Sequence, residues 1–154
     1  MPGIYPYSVT TAKITLSASA TKSLILIAPG SPGLRLTELG VSLDGSAAAT
    51  GVQIDLYRVA TLGSPAGSSG TLAKLTDENL PSASASALTA LTTEPTSVTI
   101  LRSWMVAPFG GMFGMQEVLD REVGAASSGA RIGLRYTTAA SVTPGCVAYM
   151  SFVE

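Results

Sequence analysis

Apolar and polar residues alternate with a period of two in several separate stretches of this chain. In one of them, Val52, Ile54 and Leu56 alternate with Gln53 and Asp55. Successive side chains of a strand point to opposite faces, so this pattern is typical of a strand with one face in the core and the other in solvent. Strands of this kind are predicted in the segments 13–17, 39–44, 52–57, 98–100 and 131–136.

Two further stretches, 24–27 and 146–153, are apolar on both faces. Such strands are expected to lie inside a sheet or beneath a covering partner. Turn residues separate the stretches, at Asp44-Gly45, at 29–33 (PGSPG) and around Pro108. About eight short strands with turns between them predict an all-β fold, an antiparallel β-sandwich that we expect to be jelly-roll-like. The strand order does not follow from the pattern.

The segment 60–97 is biased toward Ser, Thr, Ala, Gly and Pro. This composition predicts a long, solvated, flexible loop. A loop of this length in a compact domain is often functional, and an alternative is an extended arm that becomes ordered against a neighbouring subunit. Within it, 82–91 alternates Ser and Ala and offers almost nothing to bury, so we expect a loop or one short turn there.

The length of 154 residues is enough for one domain with its own core. We assign residues 13–154 to a single β-sandwich domain and residues 1–12 to an N-terminal arm. In the arm, Pro2 and Pro6 resist regular structure, while Tyr5 and Tyr7 are suited to docking onto a neighbouring protein. A terminus that is not tied down is otherwise loose.

The charge distribution limits the classes of partner. Only 12% of the residues are charged, the net charge is −1, and the basic residues are not clustered, so we expect no nucleic-acid partner. The longest aliphatic run, 24–28, is far shorter than the roughly 20 residues of a membrane-spanning helix, and we expect no membrane partner. The first seven residues lack the features of a secretory signal, which favours synthesis and folding in a cytoplasm. Cys146 has no second cysteine to pair with and is expected to be a small core residue.

The side chains that usually carry chemistry are scarce. The chain has no histidine, which excludes Ser-His-Asp and Cys-His arrangements within one copy, and zinc, calcium and phosphate-loop motifs are missing. Asp77-Glu78 is best interpreted as a turn or a short helix start. Asp120 and Glu122 could face one way like a glycosidase pair, but a solvated loop balanced by Arg121 is the simpler interpretation. We therefore expect no enzymatic activity, no catalytic residues, no cofactor and no metal.

Aromatic and methionine side chains are concentrated within twelve positions around a Pro/Gly turn. One interpretation is a loop that folds back to plug one end of the sandwich, and the other is an anchor for a protein partner, because Trp and Met are favoured in contacts. The cluster consists of Trp104, Met105, Phe109, Met112, Phe113 and Met115. Together with the N-terminal tyrosines, it gives a candidate partner interface made of Tyr5, Tyr7, Trp104, Phe109, Met112 and Phe113.

Several segments of the chain, in the same order, are similar to small virion structural proteins of tailed bacteriophages. These segments are 38–50 (ELGVSLDGSAAAT), 52–58 (VQIDLYR), 94–102 (EPTSVTILR), 108–111 (PFGG), 131–136 (RIGLRY) and 147–154 (VAYMSFVE). The resemblance covers roughly residues 34–154 and is one of motif order. It implies a head decoration protein that binds the major capsid protein on the outside of the virion, forms homotrimers and is synthesised in the host cytoplasm. It brings no catalytic residues.

Two other functions remain open at this point. The same motifs could serve a tail or head–tail connector component, present in few copies per particle. A carbohydrate-binding β-sandwich for host attachment is the other alternative, with Trp104 and Tyr57 as aromatic rings that could stack on sugars.

Overall fold

A computed structural model of the chain describes residues 4–45, 50–76, 79–109, 111–117, 123–126 and 129–154. Within these ranges the structure contains thirteen strands and no helix long and apolar enough to cross a membrane. The strands are β1 (Pro6–Thr10), β2 (Ile14–Thr15), β3 (Thr21–Ala28), β4 (Leu34–Leu43), β5 (Val52–Thr61), β6 (Ala66–Gly70), β7 (Leu72–Lys74), β8 (Ser86–Thr93), β9 (Ser97–Val106), β10 (Gly111–Gln116), β11 (Gly124–Ala125), β12 (Ile132–Thr137) and β13 (Gly145–Val153).

The strands form two antiparallel sheets that pack face to face. The seven-stranded sheet has the order β10-β4-β13-β1-β7, with β11 beside β4 and β2 beside β13. The six-stranded sheet has the order β6-β8-β3-β12-β5-β9. This arrangement confirms the antiparallel β-sandwich, while the jelly-roll-like connection pattern stays a prediction. The expected number of about eight strands was too low because several strands are short or built from small residues.

The main core lies between the two sheets and follows the predicted alternation. On β5, Val52, Ile54 and Leu56 are each 0% exposed and face the opposite sheet, from which Leu39 and Val41 contribute. Burial of each such side chain contributes about 1.5–3 kcal/mol. The inward face was therefore assigned correctly for most alternating strands, but not for 98–100, where Ile100 is 40% exposed and Val98 packs against the cluster of Leu26, Tyr57 and Leu91.

The strand β3 is buried on both faces, as its sequence predicted. Ile25 and Ile27 belong to the main core, whereas Leu26 belongs to a second cluster with Tyr57 and Leu91. All five residues are at most 3% exposed. The second cluster lies on the outer face of the six-stranded sheet, so something must cover that face.

The cover is a bent two-stranded ribbon made by β5–β6 and β8–β9. In one half of the ribbon, Thr61 of β5 pairs with Ser97 of β9, and in the other half Ala66 of β6 pairs with Thr93 of β8. The first pair of strands lies at one edge of the six-stranded sheet, and the second pair lies at the opposite edge. The ribbon therefore arches across the outer face of the sheet. The prediction of one long loop over 60–97 was wrong, because this segment contains β6, β7 and β8.

The segment 82–91, expected to be a loop or one turn, lies largely in β8. Ala85, Ala87, Thr89 and Leu91 are buried in alternation, at 3–8% exposure. Three of these four side chains are small and give only a weak alternating pattern in sequence, although they fill the space next to β3. At Ala90 the backbone adopts a φ of 48°, directly after the last residue that pairs with β3, and the strand turns into the ribbon.

Residues 6–10, assigned to an N-terminal arm, form β1 inside the seven-stranded sheet. This strand pairs with β13 on one side and with β7 on the other. Tyr7 and Val9 are 2% and 0% exposed, and their contribution to the core explains why the segment is held in the sheet. Pro6 is the first residue of the strand, a position that tolerates a missing backbone N–H.

Candidate interaction surface

One side of the sandwich is formed by two edge strands that follow each other in sequence. β9 is the outermost strand of the six-stranded sheet and β10 is the outermost strand of the seven-stranded sheet. We call residues 97–109 and 111–116 the β9–β10 rim. In the structure β9 pairs with β5 and β10 pairs with β4, and the two rim strands contact each other through side chains.

Two aromatic rings close the gap between the sheets at this rim. Trp104 on β9 and Phe113 on β10 lie with their ring centroids 5.0 Å apart and their planes tilted by 41°. Both side chains are partly buried and pack against the main core. These two members of the predicted interface therefore support the sandwich from within, but they lie on two edge strands and not on a loop that plugs one end.

An ion pair closes the rim next to the aromatic pair. The Arg102 guanidinium donates a hydrogen bond to the carboxylate of Glu117 over 2.5 Å and contacts the Met115 sulfur at 3.4 Å. The Glu117 side chain is only 3% exposed, whereas that of Arg102 is 38% exposed. A carboxylate with so little access to water needs a cationic partner, and Arg102 supplies it.

Exposed apolar side chains are concentrated on the rim. Of the six large hydrophobic side chains that are strongly exposed in the described residues, four lie on it and two lie elsewhere. The four are Ile100 (40%), Met105 (65%), Phe109 (48%) and Met112 (74%), and the other two are Ile4 (62%) and Leu75 (51%). Phe109 and Met112 of the predicted interface thus remain available to a partner. Ile100 was missed because its place in an alternating strand did not reveal that the strand lies at an edge.

The turn between the rim strands is attached to the body of the protein. Pro108 is buried, and its carbonyl accepts a hydrogen bond from the backbone N–H of Gly45 over 2.6 Å. Phe109, the next residue, is left in solvent at one end of the rim. The buried proline therefore fixes the point from which the exposed ring projects.

The two N-terminal tyrosines of the predicted interface have different surroundings. Tyr7 is 2% exposed, its hydroxyl donates to the Pro81 carbonyl over 2.8 Å, and its ring lies 5.9 Å from that of Phe152. Burial raises the pKa of the Tyr7 hydroxyl above its usual range. Tyr7 is a core residue of the subunit, and its assignment to an exposed partner interface was wrong because a strand, not an arm, carries it.

Tyr5 is half-buried and is tied to the last residue of the chain. Backbone hydrogen bonds join Tyr5 and Glu154 in both directions, at 3.1 and 3.2 Å. Tyr5 lines an apolar hollow of about 350 Å³, and Ile4 lines both this hollow and a second one of about 520 Å³. These hollows lie at the Leu34 end of β4, whereas Pro108 lies near the Leu43 end.

A buried carboxylate lies on the outer face of the six-stranded sheet, where the sequence predicted solvent. Asp55 is 1% exposed and accepts hydrogen bonds from Gln53 (2.8 Å), Ser103 (2.6 Å) and Arg135 (3.1 Å). Burial alone raises the pKa of this carboxyl, but the three donors outweigh it and hold the pKa below its ordinary value. The alternating pattern could not reveal this cluster, because it assigns Asp55 to a side without showing what covers that side.

Tyr57 holds the ribbon and the sheet together and is not available to a ligand. It is 0% exposed, and its hydroxyl lies 2.7 Å from the Ser23 hydroxyl, which also hydrogen-bonds to the Glu94 carboxylate. Burial, with the nearby Glu94 charge, raises the pKa of Tyr57 to about 12 against the opposing effect of the Ser23 hydrogen bond. The expectation that Tyr57 could stack on sugars was wrong, because the ribbon arches over this face.

The remaining candidates for chemistry are one cysteine and two short groups of charged residues. Cys146 is 1% exposed, and burial, together with the Asp44 charge, raises the pKa of its thiol to about 12, as expected for a core residue. The pairs Asp77-Glu78 and Asp120-Arg121-Glu122 lie outside the described residues. Among the residues that are described, no group of three or more metal-ligating side chains is close enough to hold an ion.

Comparisons with protein-family models, with curated proteins and with solved structures give no match for this chain.

Proposed function

We propose that this chain is a non-enzymatic structural subunit of a bacteriophage particle, which decorates and stabilises the capsid shell as a homo-oligomer. The observation that carries the proposal is the β9–β10 rim, which holds four of the six large apolar side chains that are strongly exposed in the described residues. A concentration of exposed apolar side chains on one side of a protein is typical of a protein contact. The likeness of residues 34–154 to small virion proteins supplies the particle and the shell protein as partner.

The distribution of polar groups supports a structural role. Asp55, Glu94 and Glu117 each have hydrogen-bond partners within the subunit, and these partners tie strands to each other or to the ribbon. Polar groups satisfied in this way stabilise the fold rather than contact a substrate. The exposed groups that remain on the rim are mainly apolar, which is the surface that a subunit of an assembly needs.

The proposed mechanism is stabilisation by mass action. A protein that binds the assembled shell, and not its separated subunits, shifts the equilibrium toward the shell by an amount that grows with its concentration. A homo-oligomer, which we propose to be a trimer, presents several identical contacts at once. Weak individual contacts then add through avidity.

A binding experiment with shells tests the proposal. Particles of the phage that encodes this chain would be prepared without it, by deletion of its gene, and mixed with the purified protein. We expect saturable co-sedimentation and a higher temperature for shell disruption in the presence of the protein. Absence of binding to heads would contradict the proposal, and binding confined to tails or to one vertex would favour a tail or connector component.

A further inference from the structure

We propose that a notch on the outer face of the seven-stranded sheet receives an arginine side chain of the partner protein. The inference deepens the proposed function, on which it rests for the identity of that partner as the shell protein. Gly114 forms the floor of the notch, Met112 and Tyr149 border it, and the carboxylate of Glu38 lies beside the Tyr149 hydroxyl. We call these four residues the Gly114 notch.

The pairing of three strands brings the notch residues to one face. Gly114 of β10 pairs with Gly40 of β4, and Gly40 pairs on its other side with Tyr149 of β13. The residues next to them along the three strands pack in the main core. Because side chains alternate along a strand, this row faces outward. Glu38 and Met112 lie two positions from Gly40 and Gly114 and therefore share the outer face.

Two glycines leave room for the notch. The ring of Tyr149 lies across Gly40, where a Cβ would overlap it. Gly114 is exposed, and a Cβ there would lie 3.8 Å from the methyl carbon of Met112 and 4.0 Å from the hydroxyl oxygen of Tyr149. These are ordinary van der Waals distances. A methylene group of an incoming side chain therefore fits over Gly114, in contact with both neighbours.

The carboxylate at the notch has no cationic partner among the described residues. Tyr149 donates its hydroxyl hydrogen to Glu38 over 2.5 Å. This hydrogen bond, with smaller effects from burial and the Glu38 charge, raises the pKa of Tyr149 to about 12, so the hydroxyl remains a donor at neutral pH. A carboxylate accepts several hydrogen bonds, and Glu38 keeps acceptor positions for a cation. The ion pairs between described residues are Lys13–Asp44, Arg102–Glu117 and Arg135–Asp55.

The surrounding face also favours a basic partner over an acidic one. Three rows of paired residues cross the sheet at the notch, and Glu38 is the one charged residue in them. An acidic side chain of a partner would be repelled by Glu38, whereas a basic one would be attracted. The rows are 112/42/147, 114/40/149/10 and 116/38/151/8.

Arginine suits both parts of the notch. Its guanidinium donates two parallel hydrogen bonds to a carboxylate such as Glu38 and is attracted to the face of an aromatic ring such as that of Tyr149. Its methylene groups pack on apolar surface, which Met112, 74% exposed, supplies. Tyr and Arg are also the residue types that contribute most to binding in protein interfaces.

Two substitutions test the notch in the full-length protein. Glu38→Gln removes the charge and keeps an oxygen that accepts the Tyr149 hydrogen bond. Gly114→Leu fills the notch at a position that does not need a positive φ. Gly129→Leu places the same side chain at another open glycine and is the matched control. Thermal unfolding would show that each variant is folded.

Binding to heads prepared without this chain gives the first measurement. We expect each notch variant to lose at least about 10-fold in affinity and Gly129→Leu to bind like wild type. Folded notch variants that bind heads like wild type would overturn the inference and leave the proposed function standing.

Titration with an arginine derivative tests the notch without particles. Acetyl-arginine amide would be added to the wild type, and NMR would follow the signals of the Tyr149 ring and the Met112 methyl group. Acetyl-citrulline amide, which is neutral and of similar shape, is the control. We expect shifts at least about threefold larger with arginine, and the difference should vanish in Glu38→Gln.

The outcomes of the titration separate the inference from the proposed function. Equal shifts with arginine and citrulline would overturn the inference, and larger shifts with methyl glucoside would overturn it in favour of a sugar. The expected shifts in a protein that never binds heads would refute the proposed function and leave the arginine site standing.

Discussion

The indole of Trp104 and the ring of Phe113 lie 5.0 Å apart across the gap between the two sheets, and each packs against the main core. Trp104→Ala should therefore lower the free energy of unfolding by about 2–3 kcal/mol, less than for a fully buried Trp. A double-mutant cycle with Phe113→Ala should give a coupling of about 1 kcal/mol, measured by denaturant unfolding. A coupling near zero would show that the two rings do not support each other.

Ile54 lies on the inward face of β5 and is 0% exposed. Ile54→Asp would bury an unpaired carboxylate between the sheets, and we expect the domain to be unfolded at room temperature. Ala60→Asp, at an exposed position of the same strand, is the control and should melt close to wild type. Circular dichroism recorded during heating would show whether each variant is folded and at which temperature it melts. An Ile54→Asp protein that melts like wild type would mean that the face assignment of β5 is wrong.

The Asp55 cluster predicts a dependence of stability on pH. The pKa of Asp55 is lowered in the folded state, so its contribution is present above the unfolded value of about 4 and is lost as the pH falls through the folded pKa. Asp55→Asn should reduce the free energy of unfolding by about 2–3 kcal/mol at neutral pH, and the difference from wild type should shrink in acid. Asp44→Asn, which removes an exposed partner of Lys13, should have a much smaller effect. A difference that does not change with pH would contradict the role of the Asp55 charge.

Gly133 lies directly beneath the ring of Tyr57, which is 0% exposed, and a Cβ at this position would overlap the ring. Because the ribbon holds Tyr57 in place, Gly133→Ala should destabilise the protein by about 1–3 kcal/mol. Gly129→Ala is the matched control, since a Cβ there meets nothing within 4 Å. The two variants would be compared by thermal unfolding. Equal melting temperatures would show that Tyr57 is free to move away from the sheet.

The inward face of most strands could be predicted from sequence, because aliphatic residues such as Val52, Ile54 and Leu56 report burial directly. The strand β8 could not, since Ala87 and Thr89 bury too little apolar area to give a clear pattern. Leu26, by contrast, correctly indicated that a second face of its strand is covered. Large side chains therefore carry most of the sequence pattern from which burial can be predicted.

The candidate surface was predicted only in part, for a related reason. Sequence shows that aromatic and methionine side chains are concentrated, but the direction of each depends on which neighbour it meets across the sheets. Trp104 and Phe113 meet each other, whereas Met112 meets solvent. Tyr7 was misplaced because two prolines near the start favoured an arm, although β13 and β7 offer pairing on both sides. Long-range pairing of this kind is not contained in local composition.

The most direct test of the central claim is a copy count. Particles released from a culture that produces this chain would be purified on a density gradient, and the chain would be quantified by mass spectrometry against the most abundant shell protein. The proposed role in shell decoration predicts an abundance comparable to that of the shell protein, in the fractions that contain heads. A handful of copies per particle, or complete absence from particles, would contradict it.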